Sequence, residues 1–349
     1  TMMTSSRLIV FSVLLAMFAI TMAIDDPVVI PPVVTASGDV KLLILFQAPL
    51  VEATDYLSVA KMIQSATTSV RLWVGISSFA GNIPDPIEAD SQISKIKTAV
   101  QKIYPQLSDN DIFMSGHSLG GIIAKGAYKK DFSGLILFGA YLPKNGSESL
   151  PLFSDSVLHL AAEIDGLTRM TRIAFSLKQL VADVIPRIGL QEAAKTKPVV
   201  ILPGVDNSQF AGNGVFIEGD IKPEISDYSA HVMIGEAVSS FIYAQLFENQ
   251  TAVQYLVSSI KSAQVLVEPF WKATAIERFS WCVSTQETLV NMLNNTQYLR
   301  TTQSTVNSVV AFSTSNVDVT EDSDGGVSII TSNYNEFPIN PLDISTLIE

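Results

Sequence analysis

The chain of 349 residues has a single cysteine, Cys282, and three histidines. One thiol excludes an internal disulfide, so the chain must be held by its core. The setting Phe279-Ser-Trp-Cys282 suits a buried, inert thiol rather than a nucleophile. Three imidazoles, His117, His159 and His231, leave general-base chemistry few candidates. Basic residues are also scarce: 22 Lys and Arg stand against 34 Asp and Glu, a formal net charge of −12. The only adjacent basic pair is Lys129-Lys130. Nucleic acid and anionic membrane surfaces both reward basic clusters, so neither is an expected partner. No internal repeat is present.

What the chain has in plenty is apolar sequence, 47% of residues, ample for a large core. The first such run, Leu8 to Ile20, follows Arg7 and carries no charge. Small residues at Thr21-Met-Ala23 complete the pattern of a signal peptide over residues 1–23. The run is short for a spanning helix, so cleavage without stable membrane insertion is expected. The destination is then the secretory-pathway lumen or the exterior. Sequons at Asn145, Asn249 and Asn294 are consistent with that route.

After a Pro/Val-rich lead-in from Asp25 to Val34, apolar runs alternate with helical patterns. Strands are expected at 41–46, 70–75, 111–115, 134–139, 157–161 and 198–202. Helices are expected at 54–66, 91–104, 119–130, 170–184 and 229–247, the last of them amphipathic. This alternation predicts a mostly parallel sheet with helices on both faces. Residues 24–248 form that domain. Composition shifts near Asn249, and residues 249–349 read as an α+β extension of unknown role, helical over 251–298. Period-two patches follow at Val309, Val317 and Val327, with Asp322-Ser-Asp-Gly-Gly326 as turn chemistry.

Gly116-His-Ser118-Leu-Gly120 follows an apolar strand and opens a helix. This strand–turn–helix context is what a nucleophile elbow requires. A serine on so tight a turn needs neighbours without side chains two residues before and after, and Gly116 and Gly120 supply them. The helix N-terminus then offers the Leu119 N–H to a developing oxyanion. A second donor is expected after the first core strand, in Phe46-Gln-Ala-Pro49. Pro49 has no N–H, which leaves Gln47, with Ala48 as the alternative. The acid partner should lie beyond the next strand but one, where Asp165 is expected and Glu163 is the substitute.

Five stretches carry a resemblance: 43–56 (LILFQAPLVEATDY), 72–81 (LWVGISSFAG), 113–125 (FMSGHSLGGIIAK), 161–168 (AAEIDGLT) and 203–212 (PGVDNSQFAG) with the DIKPEIS that follows. From Leu42 to Phe241 the chain resembles the dienelactone-hydrolase-like branch of the α/β-hydrolases, in particular a group of secreted eukaryotic serine hydrolases. The resemblance implies the α/β-hydrolase fold and hydrolysis of a small-molecule ester or related acyl compound, without cofactor or metal. It also implies a histidine in the loop after the last core strand, where this chain has Asn207. Asparagine has no basic nitrogen. Of the three histidines, His117 is expected to pack under the elbow and His159 to lie in the core. His231 is then the remaining candidate base. The alternative is a pseudo-hydrolase that keeps fold and pocket as a secreted binding module.

Overall fold

The computed structural model describes residues 26–168, 170–278, 317–321 and 327–331. The signal-peptide segment, Cys282, the sequon at Asn294, the patch at Val309 and the turn at 322–326 lie outside the described residues. Seven strands form one sheet: β1 (Val28–Ile30), β2 (Val40–Phe46), β3 (Arg71–Ile76), β4 (Ile112–His117), β5 (Gly134–Phe138), β6 (Val157–Ala162) and β7 (Val199–Leu202). Their order is β1-β3-β2-β4-β5-β6-β7, and every pairing is parallel except β1 on β3. The lead-in therefore contributes an edge strand. Three residues ahead of Pro31 are too few to show alternation, and an edge is where a proline-limited strand is tolerated.

Strands β4, β5, β6 and β7 are buried at every residue, so both faces of the sheet are covered. The covering helices are α1 (Leu57–Ala66), α2 (Pro86–Gln101), α3 (Leu119–Ala127), α4 (Met170–Gln179), the short α5 (Ile185–Ile188), α6 (Leu190–Thr196), α7 (Asp227–Phe247) and α8 (Gln250–Arg278). Ile96 of α2 lies against Gly75 of β3, and Phe241 of α7 meets Phe113 of β4 edge to face.

Helix α7 differs from the amphipathic expectation. Its buried residues, among them Ala230, Ile234, Ala237, Val238, Phe241 and Ala244, spread beyond one stripe. The cause is that α1 and α8 both pack on it. Val253, Leu256, Ile260, Ala263 and Val267 of α8 join the same core as the sheet, so the packed body continues past residue 248. Beyond it, β8 (Val317–Glu321) and β9 (Val327–Thr331) pair antiparallel, Val317 opposite Thr331. No helix among the described residues is long and apolar enough to cross a membrane.

Candidate active site

The C-terminal ends of the parallel strands carry the site, as open α/β sheets require. Strand β4 ends at His117 and α3 begins at Leu119, leaving Ser118 alone to turn the chain. Its backbone sits at φ 53°, ψ −122°, a conformation that costs a non-glycine residue roughly 1–3 kcal/mol. The Ser118 N–H donates to the Phe138 carbonyl at 2.9 Å, and the Ser118 carbonyl accepts from Gly121 N–H at 3.0 Å. Both bonds pin the turn. The side chain is half-buried at the wall of a cavity of about 430 Å³ that Leu119, Tyr141 and Phe175 also line. Its Oγ makes no hydrogen bond among the described residues.

Behind Ser118 runs a buried chain of hydrogen bonds whose directions can be worked out from one end. Asp165 is fully buried; one carboxylate oxygen accepts from Leu167 N–H at 2.8 Å and Thr168 N–H at 2.5 Å. The other accepts from Asn207 Nδ2 at 2.7 Å. The Asn207 amide oxygen must then face away, and it lies 2.9 Å from His117 Nε2. That nitrogen therefore carries the proton, and Nδ1 is left to accept from the Tyr56 hydroxyl at 2.9 Å. The Tyr56 oxygen itself accepts from Ala48 N–H at 2.7 Å. With these directions fixed, the His117 tautomer follows from the network. Both nitrogens of His117 are committed, and burial pushes its pKa down to about 4. As its adjacency to Ser118 leads one to expect, it lies under the elbow.

Asp165, not Glu163, reaches the Asn207 loop. Glu163 instead accepts from Gly204 N–H at 2.8 Å. Gly139, at φ 53°, lies over the Asn207–Asp165 contact, and a Cβ there would stand 2.7 Å from Asn207 Nδ2. Burial pushes the Asp165 carboxyl up to about 8, with Asn207 and the two backbone donors pulling the other way. The linkage has a definite sign. Between about pH 4 and pH 8 the folded chain keeps a proton at Asp165 that the unfolded chain loses, so stability falls as pH rises. His117 acts oppositely between about 4 and 6.5, because there the unfolded chain binds the extra proton. Above pH 6.5 the two carboxyls raised by burial, Asp165 and, to about 7, Asp206, act without that opposition. Urea denaturation should show stability declining from pH 6.5 to 8, and Asp165→Asn should flatten most of that slope. An unchanged slope would mean that Asp165 is ionised throughout.

Two expectations from sequence need correction. The Gln47 N–H does not open toward Ser118. It donates to Ser77 Oγ at 3.3 Å, and the Gln47 carbonyl faces the elbow helix, where a Cβ on Gly120 would lie 2.2 Å from it. The Gln47 side chain is held by Val51 and Asn82, and the Ala48 N–H by Tyr56. Of the expected donors only the Leu119 N–H remains, a first-turn amide without an intrahelical partner. His231 is the second correction. Its ring packs beneath Gly212, is 4% exposed, and its Nε2 has no partner. It takes no part in the Ser118 cavity or in the chain through Asn207. Burial lowers its pKa, with Asp227 opposing. His159 is a core residue that meets Tyr141 edge to face, with Nε2 accepting from Leu142 N–H at 3.4 Å. Among the described residues no group of three or more His, Cys, Asp or Glu is arranged to hold a metal. The residue whose part in the site sequence reading misses is Tyr56: it ends the stretch 43–56, but nothing there marks its hydroxyl as the partner of His117.

No protein-family model and no curated protein matches the chain. Among solved structures it is similar to an alpha-beta serine hydrolase homologue from Coxiella burnetii, at 14% identity and a TM-score of 0.38, over 61% of this chain and 89% of that one. A Xanthomonas campestris α/β serine hydrolase described as lacking a lid gives 13%, 0.36, 63% and 88%. The esterase domain of a Rhodothermus marinus protein gives 12%, 0.36, 63% and 91%. These likenesses are too distant to carry an argument about the site. The fold rests instead on the chain's own topology: six parallel strands in the order β3-β2-β4-β5-β6-β7, an antiparallel β1 at the edge, and a strained serine between β4 and its helix make this the α/β-hydrolase fold.

Proposed function

We propose that this chain is a serine hydrolase by construction, with a pocket for small carboxylic esters or related acyl compounds, in which turnover is held back by asparagine at the base position. The observation that carries the reading is the backbone of Ser118. A turn that merely joined strand to helix would relax with glycine at φ 53°. Keeping serine there, half-buried at a cavity wall, retains strain whose use is to aim Oγ at a ligand. In the reaction Oγ attacks the acyl carbonyl and gives its proton to solvent water, while the Leu119 N–H and the positive end of α3 stabilise the oxyanion; its collapse expels the alcohol, protonated from solvent, and water then cleaves the acyl-Ser118 ester to release the acid. The Ser118 proton has no imidazole to accept it, since both nitrogens of His117 are engaged and Asn207 offers only an amide. What survives without the base is the contribution of binding and the oxyanion site, about 10³–10⁴ over water.

A second reading, a binding module without turnover, draws on the same chain of hydrogen bonds. The sequence Tyr56–His117–Asn207–Asp165 is closed at every position and asks nothing of Ser118. Labelling with a fluorophosphonate separates the two. The hydrolase reading expects slow, stoichiometric modification that Ser118→Ala removes. No modification after prolonged exposure, together with ester binding by calorimetry, would leave the binding module standing.

A further inference from the structure

Two of the sequons lie among the described residues, and they stand in different surroundings. Asn145 is in the loop after β5, next to Pro143 and Lys144, which line the Ser118 cavity. Residues 145–148 are exposed, and Gly146 turns the chain at φ 89°, with nothing within 4 Å of the place a Cβ would take. No hydrogen bond among the described residues holds the Asn145 side chain. The backbone on either side of it is fixed. The Lys144 carbonyl accepts from Gln179 Nε2 at 2.7 Å. The Gly146 carbonyl accepts from Ser149 N–H at 3.1 Å and from Ser149 Oγ at 2.8 Å, and Glu148 pairs with Lys125. Gln179 and Lys125 thereby tie the loop to α4 and α3, the helices that bring Phe175 and Ile122 to the cavity. An asparagine with a free amide on a held backbone anchors whatever is bonded to it at a constant place, here beside the cavity mouth. Asn249 differs. Its Oδ1 caps α8 by accepting from Ala252 N–H at 3.1 Å, at the corner between α7 and α8, and neither helix contributes to the cavity wall.

We infer that Asn145 carries an N-linked glycan at the rim of the Ser118 cavity, where it admits small acyl compounds and keeps out acyl groups borne on macromolecules. The donor is a lipid-linked oligosaccharide pyrophosphate. Asn145 Nδ2 bonds to the anomeric carbon of the sugar, the bond from that carbon to the pyrophosphate oxygen breaks, and the amide gives up one proton to the departing pyrophosphate. The modification rests on the secretory route read from residues 1–23. The selection of ligands deepens the reading of the cavity as an acyl site and rests on it for the ligand's class. A glycan is bulky and hydrated, so its exclusion is steric and acts on the width of the ligand rather than on its charge.

The test uses the full chain secreted from eukaryotic cells. Peptide N-glycosidase in heavy-oxygen water turns a glycosylated asparagine into a labelled aspartate, and peptide mass spectrometry should find that label at Asn145. Asn145→Gln should lower the mass by one glycan. So should Ser147→Ala, which breaks the sequon and keeps the asparagine. Access to the cavity is read without Ser118, on Ile122→Cys in a Cys282→Ser background, since Ile122 is exposed on the cavity wall. N-ethylmaleimide should react at the same rate before and after glycan removal. A polyethylene-glycol maleimide should react about tenfold or more slowly with the glycoprotein than with the deglycosylated chain. Either sequon variant should abolish that difference, and Asn249→Gln should keep it. An Asn145 that stays unmodified, or equal rates for the bulky reagent with and without the glycan, overturns the inference. Because the readout does not need a reactive serine, absence of fluorophosphonate labelling would sink the hydrolase reading and leave this size selection standing.

Discussion

Asn207→His is expected to raise the rate of Ser118 acylation by about 10²–10⁴-fold, the usual contribution of a positioned general base. The geometry gives the reason. Asn207 already donates to the buried Asp165 carboxylate at 2.7 Å through Nδ2. An imidazole in its place can make the same bond through Nδ1–H, which leaves Nε2 without a proton and one atom further out. The gain should follow the titration of that imidazole, so a pH profile with an apparent pKa near 6–7 should appear where the wild type has none. A cost accompanies the gain. His117 Nε2 loses the Asn207 oxygen at 2.9 Å, and a buried donor without an acceptor costs about 1–3 kcal/mol. The variant should therefore melt earlier while reacting faster, a combination that a generally loosened structure does not produce. The measurement is the rate of p-nitrophenyl acetate hydrolysis with the rate of fluorophosphonate labelling beside it. A wild type that already turns over at ordinary enzyme rates, with Asn207→His adding nothing, would mean that another group takes the Ser118 proton.

How much of this is legible in the sequence depends on whether a feature is fixed by local pattern or by distant partners. Strands β2 to β7 are legible because each is an apolar run bounded by turn residues, and their residues are buried on both faces. The elbow is legible because the need for room on either side of Ser118 is met by glycines at fixed spacing. The meeting of Asp165 with the Asn207 loop follows from parallel strand order, since β6 and β7 are neighbours and their following loops rise together. The orientation of the Gln47 peptide is not legible. It depends on Ser77 and Tyr56, 30 and 9 residues away, which take the two N–H groups that an oxyanion site would use. His231 fails for a related reason. Helical spacing shows that it shares a face with Ile234, but not that this face is sealed by Gly212. Nothing in the composition around Asn249 shows that the next helix covers the same core, because Leu256 and Ile260 read equally well as the stripe of a separate bundle.

Gly120→Ala should be among the most damaging single substitutions in the chain, costing about 3–5 kcal/mol, above the usual 1–3 kcal/mol of overpacking because backbone rather than side chain must move. A Cβ at Gly120 would stand 2.2 Å from the Gln47 carbonyl oxygen and 2.6 Å from that of Phe46. Neither atom can yield. Phe46 ends β2 and Gln47 follows it directly, and Phe46 pairs with Gly116 of β4, the strand that carries the elbow. Relief would need β2 and α3 to separate, and that separation would pull Ser118 off the cavity wall. Gly126, in the last turn of the same helix, is the internal control. A Cβ there meets nothing within 4 Å, so Gly126→Ala should stabilise the protein by about 0.5–1 kcal/mol through helix propensity alone. The same chemical change, six residues apart, is thus expected to act with opposite sign. Thermal unfolding of the two variants measures both. For a domain of this size the loss at Gly120 corresponds to a fall in Tm of roughly 6–20 °C and the gain at Gly126 to a rise of roughly 1–4 °C. If Gly120→Ala melts with the wild type and still labels at Ser118, then α3 does not approach β2 as closely as the elbow requires, and the geometry assigned to Ser118 is wrong.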